Sequence, residues 1–221
     1  MFTDRKDAGR QLAARLRHLQ KPGLIVLGIP RGGVIVAAEV AAVLDAPLDV
    51  IVPRKIGAPF NPELAVGAVA PDGTIFYDET LISYIGIKLQ DIERQAAREL
   101  REIGRRLSLY RGDRPGPESQ GHTVVLVDDG IATGYTVQAA LRSLRQQKPF
   151  RLVLAVPVAP PDIISRLQPD ADEIVCLLTP SDFYAVGQFY GDFRQTSDQE
   201  VIDALTHNRA LHEVPSERGS A

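Results

Sequence analysis

One cysteine stands among 221 residues, Cys176, so no disulfide can close within the chain. It lies in the apolar run "EIVCLL", where a thiol reads as a small core side chain. That usage fits a reducing compartment. Histidine is scarce and scattered. His18, His122, His207 and His212 form no H-E-x-x-H pattern, and a C-x-x-C pair is absent, which argues against a protein-built zinc site. No apolar stretch approaches the roughly 20 residues that span a bilayer. The first twenty residues, "MFTDRKDAGRQLAARLRHLQ", mix charged and apolar positions and lack the continuous apolar core of a signal peptide. Charge of one sign is not in large excess either. The formal net charge is -3 and the pI about 5.8, which argues against a dedicated nucleic-acid binder. No internal repeat or low-complexity tract is visible.

What is present is 44% hydrophobic and 24% charged residues, the balance of a globular protein with one sizeable core. Phe2, Ala8, Leu12, Leu16 and Leu19 recur at helical spacing and predict a helix ending before Lys21. "LIVLGI" (24–29) predicts a buried strand, 32–44 an Ala-rich helix and "LDVIVP" (48–53) a second strand, which together make a βαβ unit. Residues 54–78 are broken by Pro59, Pro62, Pro71 and Gly73, with a hairpin turn expected near 71–73. A long amphipathic helix is expected over 87–110, with Leu89, Ile92, Ala96, Leu100, Ile103, Leu107 and Tyr110 on one stripe and Glu102 pairing with Arg106. A linker fills 112–122. Strands are then expected at 123–128, 150–158 and 173–178. Helices are expected at 135–147, 161–167 and 198–210. The whole predicts an α/β chain: a five-stranded, mostly parallel sheet flanked by helices, with an inserted hairpin and flexible-loop region. One domain is expected over 1–210, with a disordered tail over 211–221.

Open α/β sheets bind ligands outside the carboxyl ends of their strands. At one such end stands "VVLVDDGIATGYTV" (124–137). Asp128 and Asp129 repel each other and lose hydration unless donors or cations answer them. The loop behind them runs into a helix, so its amides form an anion cradle backed by the helix dipole. Thr133 and Thr136 add hydroxyls, and Thr133 is placed to cap the helix. Carboxylates beside a phosphate cradle match a polyol carrying a phosphate, which is the shape of a ribose 5-phosphate. A second loop, "LGIPRGG" (27–33), has P-loop-like glycine spacing. Val34 and Ile35 stand where a P-loop needs Lys and Ser/Thr, which removes the main support for nucleoside-triphosphate hydrolysis.

The run "VVLVDDGIATGYT" resembles the phosphoribosyl pyrophosphate (PRPP) motif of type I phosphoribosyltransferases, and the resemblance covers about residues 20–180. It implies that Asp128 and Asp129 bind the ribose hydroxyls. Gly130, Ile131, Ala132, Thr133, Gly134, Tyr135 and Thr136 would hold the 5-phosphate. "IPRGG" resembles the family's pyrophosphate loop, so Pro30, Arg31, Gly32 and Gly33 would meet the diphosphate. That loop often carries a non-proline cis peptide in the family. Arg54 and Lys55 in "VPRKIGAP" match a basic pair near the pyrophosphate, and 56–75 falls where the family has a flexible closing loop. Arg31 and Lys55 are the implied catalytic cations, with Glu63 in "NPELAVGAV" a candidate general acid/base. The family covers its acceptor with a variable hood. Here the N-terminal segment, residues 181–195, or both would form it. Phe183 and Tyr184 in "SDFYAVGQFYGDF" are candidates to stack a base, or equally part of a satellite core.

Ala132 stands where the 6-oxopurine enzymes usually carry aspartate, and the PRPP-handling loops look like those of the adenine type. The resemblance implies Mg2+ held largely through substrate and water rather than by a dedicated protein site, with Asp128 and Asp129 as candidate protein contacts. It also implies PRPP and a small nitrogenous acceptor as partners, nucleotide salvage, a cytoplasmic location and a homodimer. Two other readings stay open: a non-catalytic PRPP-binding regulatory protein, and an unrelated α/β phosphate-binding hydrolase.

Overall fold

The computed structural model describes residues 1–212. Strands β1 (Leu24–Gly28), β2 (Leu48–Val50), β6 (Thr123–Val127), β7 (Arg151–Val158) and β8 (Glu173–Leu178) form one sheet in the order β2-β1-β6-β7-β8, and every pairing is parallel. Strands β3 (Arg54–Ala58), β4 (Asn61–Val69) and β5 (Ile75–Tyr77) form a separate antiparallel sheet. The helices are α1 (Arg5–Leu16), α2 (Gly32–Leu44), α3 (Glu79–Tyr84), α4 (Leu89–Arg111), α5 (Tyr135–Gln146), α6 (Pro161–Leu167) and α7 (Asp198–His212).

The parallel strands are apolar at successive positions because both faces of the sheet are covered. In β6, Val125 and Val127 join the core under α1, α2 and α7, whereas Val124 and Leu126 join the core under α5 and α6. The chain goes from β1 through α2 to the edge strand β2. From β6 it goes the other way, through α5 and α6, to β8. The strand order therefore reverses between β1 and β6, and the loops leaving their carboxyl ends, 29–31 and 128–134, meet at that switch point.

The structure corrects several expectations. Strand β2 ends at Val50, not 53: the Ile51 amide still donates to Gly28 (3.1 Å), but Pro53 has no amide and Arg54 starts the second sheet. The stretch 56–75 is mainly strand, not a loop. Its hairpin turn lies where the sequence placed it, with the Gly73 amide on the Ala70 carbonyl (3.0 Å). Helix α3 was not expected; Asp78 caps it by accepting from the Leu81 amide at 2.9 Å. Helix α4 starts at Leu89, which is itself 47% exposed, and Glu102 accepts from Arg106 at 2.8 Å as expected. Helix α7 runs to His212, so Leu211 and His212 are helical, and the rest of the expected tail lies outside the described residues. Among the described residues no helix is long and apolar enough to cross a membrane. Cys176 is partly buried in β8, and burial pushes its thiol up to about 11.

The outer edge of β2 is covered by side chains rather than left open. Asn208 of α7 accepts from the Leu48 amide (2.7 Å) and donates to the Ala46 carbonyl (3.1 Å), while Arg111 of α4 donates to Val50 and Asp49. Asn208→Ala leaves a buried amide and carbonyl unpaired and is expected to cost about 2 kcal/mol of stability. Urea unfolding checks this: the midpoint falls while the slope stays.

Candidate active site

The two loops at the switch point are pressed together. The Ile29 amide donates to the Val127 carbonyl at 2.9 Å, and Pro30–Arg31 is a cis peptide. A Cβ on Gly32 would lie 1.9 Å from Asp129 Oδ2, and one on Gly33 would lie 2.8 Å from Asp128 Oδ1. Only glycine lets the backbone of this loop lie directly against the two carboxylates. The structure thus brings together Asp128, Asp129, Pro30, Arg31, Gly32 and Gly33.

Asp128 Oδ1 accepts from the Asp129 amide at 2.9 Å. Burial, and then the charge of Asp129, raise the Asp128 carboxyl well above its ordinary value; Arg5 and Lys55 act against that rise. Burial also raises Asp129, but Arg5 opposes it directly by donating from Nε to Asp129 Oδ2 at 2.7 Å. Arg5 and Asp129 are 124 residues apart, and no local pattern in the sequence marks Arg5. Arg5 Nη1 also donates to the Arg194 carbonyl (2.8 Å), and its guanidinium lies 3.9 Å from the centre of the Phe193 ring. Tyr190 donates its hydroxyl to the Asp129 carbonyl at 2.6 Å, and burial holds that phenol protonated.

The expected cations stand near the site with different partners. Arg31, before α2, reaches Asp198 at the start of α7 (3.9 Å), and Tyr110 donates to the same carboxylate. Arg54 pairs with Glu99 of α4 at 2.8 Å. Lys55 is exposed and makes no ion pair among the described residues, yet its charge acts on Asp128. Glu63 is not brought in. It is exposed near the far end of the β3–β4 hairpin, with Ala58 paired to Asn61 at the tip and Lys55 to Ala68 at the base. Five residues of strand separate Glu63 from Ala68, roughly 16 Å.

The expected phosphate cradle, 130–136, is a loop running into the first turn of α5. Gly134 sits at the N-cap of α5 with φ +75°, and no side chain caps the helix, so Thr133 does not fill the capping role expected of it. The first-turn amides of α5, from Tyr135 and Thr136 onward, therefore lack an intrahelical or side-chain cap and face the loop. Ala132 and Thr133 are exposed. The Ile131 amide is already donated to the Val158 carbonyl at 2.9 Å and its side chain is core, so Ile131 shapes the loop and offers nothing to a ligand. The Tyr135 ring is also committed, packed on Phe76 (5.8 Å between centroids) with its hydroxyl on Asp78 (3.2 Å). Arg166 of α6, unremarked in the sequence, donates to the Thr133 carbonyl and supports the loop from behind.

The aromatic segment divides. Tyr190 and Phe193 pack with each other and with Phe2, forming a satellite core that ties the N-terminus down. Phe183 stacks on Phe189 at 5.5 Å, and Tyr184 is 90% exposed, a free ring face beside this segment. Among the described residues no three His, Cys, Asp or Glu side chains gather as a metal cage would.

Known proteins resemble this chain. The profile of the phosphoribosyl transferase domain matches residues 3–194. Two Mycobacterium tuberculosis proteins, from strains CDC 1551 and H37Rv and provisionally named phosphoribosyl transferases, are each 48% identical over 205 residues, covering 93% of this chain and 46% of theirs. The chain thus spans about half the length of the curated relatives it matches. The crystal structure of TT1426 from Thermus thermophilus is 44% identical, with a TM-score of 0.79 over 94% of this chain and 98% of that one.

Proposed function

The chain belongs to the phosphoribosyl transferase domain family, and we propose that it transfers the ribose 5-phosphate group of PRPP to a small nitrogenous acceptor with release of pyrophosphate. One observation carries this reading: the Asp128–Asp129 pair and the Pro30–Gly33 loop share one surface, with no room for a side chain between them. Ribose hydroxyls would donate to the carboxylates while the loop amides and Arg31 take the diphosphate. The cradle from Gly130 to Thr136, except the occupied Ile131 amide, would take the 5-phosphate.

In the reaction an acceptor nitrogen bonds to C1 as the C1–O bond to diphosphate breaks. The electron pair leaves with the diphosphate, and the acceptor proton passes to solvent. Positive charge grows at C1 and negative charge on the leaving group. The residues contribute positioning and charge neutralisation. Arg31 and Arg54 would exchange Asp198 and Glu99 for diphosphate oxygens, and Lys55 needs no such exchange. Two adjacent carboxylates, with no third His, Cys, Asp or Glu gathered beside them among the described residues, suit Mg2+, which shares its oxygen ligands with substrate and water. Asp128 and Asp129 would hold it, and it supplies further neutralisation on the diphosphate. Nucleobases of the adenine type are the acceptor class the resemblance favours, and Tyr184 offers a ring to stack one. A cytoplasmic homodimer engaged in nucleotide salvage completes the proposal.

A second reading, a PRPP-binding regulatory protein, draws on Glu63, because that carboxylate is exposed near the tip of the β3–β4 hairpin, roughly 16 Å along the strand from Ala68, the partner of Lys55. The deciding experiment is pyrophosphate release from PRPP and Mg2+ across purines, pyrimidines and small amines, run beside PRPP-dependent thermal stabilisation. Release with one acceptor supports the enzyme. Stabilisation without release favours the regulator, and the absence of both sinks PRPP binding altogether. Arg31→Ala is expected to lower kcat/KM about a hundredfold, the scale for removing one donor to developing charge; steady-state kinetics at saturating acceptor check it.

A further inference from the structure

We propose that Arg5 is a positioning residue of the ribose subsite, through which the N-terminal segment sets the aim of Asp129. This rests on the PRPP reading above.

Arg5 is held on three sides. Its Nε donates to Asp129 Oδ2, its Nη1 donates to the Arg194 carbonyl, and the Phe193 ring lies against the guanidinium. The pair is largely withdrawn from water, at 12% exposure for Arg5 and 16% for Asp129. A charge-assisted bond in such surroundings is stronger and more directional than a surface pair. The segment behind Arg5 is also fixed. The Phe2 amide donates to the Phe189 carbonyl, the Gly191 amide to Phe2 and the Asp192 amide to Thr3, each at 2.8 Å. Phe2 inserts beside Tyr190, 5.3 Å between ring centroids. Tyr190 in turn donates to the main-chain carbonyl of Asp129. The N-terminal segment and the 189–194 segment paired with it therefore grip Asp129 twice, once by its backbone and once by its side chain.

The position of Arg5 gives this grip a purpose beyond tying down a terminus. A Cβ on Gly32 would meet Arg5 Nε at 2.5 Å as well as Asp129. The guanidinium thus lies where the pyrophosphate loop and the diacid touch, at the junction of the proposed diphosphate and ribose subsites. With Oδ2 held by Arg5, the Asp129 carboxylate cannot rotate freely, and the diacid presents a fixed set of acceptors to two neighbouring hydroxyls. Losing that orientation weakens ground-state binding of PRPP more than it slows the bound complex, because Arg5 acts through the Asp129 carboxylate rather than on the bond that breaks.

The test compares Arg5→Gln, Arg5→Lys and Phe193→Leu with the parent. PRPP affinity with Mg2+ is measured by calorimetry, and kcat and KM with the acceptor found in the panel. Arg5→Gln is expected to weaken PRPP binding about thirtyfold and change kcat less than threefold. Arg5→Lys restores the charge without the planar fork and is expected to recover about half of the loss on a logarithmic scale. Phe193→Leu removes the ring face but keeps both hydrogen bonds, and a loss of about threefold is expected. Unchanged PRPP affinity in Arg5→Gln overturns the inference, as does a fall in kcat with KM unchanged. If Arg5→Gln fails to fold, unchanged affinity in both other variants overturns it. A parent that binds no PRPP refutes the proposed function instead, so the two failures are distinguishable.

Discussion

Gly32→Ala is expected to reduce PRPP affinity at least a thousandfold while the protein remains folded. A single methyl group is added, yet it would lie 1.9 Å from Asp129 Oδ2, 2.5 Å from Arg5 Nε and 2.7 Å from Asp129 Cγ. Those atoms are not the loose ends of flexible side chains. Asp129 is short and held from both sides, and Arg5 is held by three partners. Either the carboxylate turns away from the ribose subsite or the loop lifts off the diacid, and both outcomes separate groups that must act on one ligand. The backbone itself is not at fault, since Gly32 does not have a positive φ and alanine is the better residue in the first turn of a helix.

The fitting control is Gly104→Ala. Gly104 sits on the exposed face of α4, and a Cβ there meets nothing within 4 Å. That change is expected to raise stability by about 0.5–1 kcal/mol, through helix propensity and a less free unfolded chain, with PRPP affinity unchanged. Calorimetric titration and thermal unfolding of both variants separate the two effects. Parent-like PRPP affinity in Gly32→Ala would mean that the two loops do not act on one ligand.

The sequence made the five parallel strands legible because each is a short run of branched apolar residues with helical patterning between them. It made the two loops legible because their chemistry is local: seven residues from Gly130 to Thr136, four from Pro30 to Gly33. The β4–β5 hairpin was legible, but β3 and its pairing with β4 were hidden by composition. Pro59, Pro62 and Gly57 read as loop, yet Gly57 sits where strands approach so closely that a Cβ would lie 2.4 Å from the Pro62 carbonyl oxygen. Small residues there serve close pairing. Glu63 in "NPELAVGAV" is a carboxylate that the sequence offers as an acid/base, but the hairpin carries it away from Lys55 as fast as strand rise allows. Arg5, Glu99 and Asp198 escape a reading of the sequence for a different reason. Each is one charged residue on a helix, indistinguishable from a solvated surface position until the fold brings it 2.7–3.9 Å from a partner. The repulsion between the two adjacent carboxylates is thus answered by something no motif contains: in the free protein an arginine from the first helix compensates Asp129, and Asp128 bears most of the remaining strain of burial.

That asymmetry makes Asp128→Asn the most informative single change at the diacid. The Asp128 carboxyl is raised well above the ordinary value of 3.8, by burial first and by Asp129 second. The native state thus holds a proton there that the unfolded chain has already released. Where the native state binds more protons, stability falls as pH rises. The Asp128 contribution therefore declines from about pH 3.8 upward until the raised native value is passed, and above that the ionised group is a fixed burden on the free protein. An asparagine of the same shape lacks that burden. Asp128→Asn is expected to melt higher than the parent at neutral pH, with the advantage shrinking toward the ordinary carboxylate value, where the parent's aspartate is protonated in both states. The same variant is expected to lose pyrophosphate release at least a thousandfold, and Asp128→Asn/Asp129→Asn to lose PRPP-dependent stabilisation altogether. Melting curves across pH, with and without PRPP, read both effects at once. A variant that melts lower at neutral pH would show that the ionised carboxylate is well solvated or paired. A variant that still releases pyrophosphate would remove Asp128 from the ribose subsite. The expected pair of results, a more stable protein that no longer acts, marks the diacid as a feature retained for its ligand at the expense of the fold.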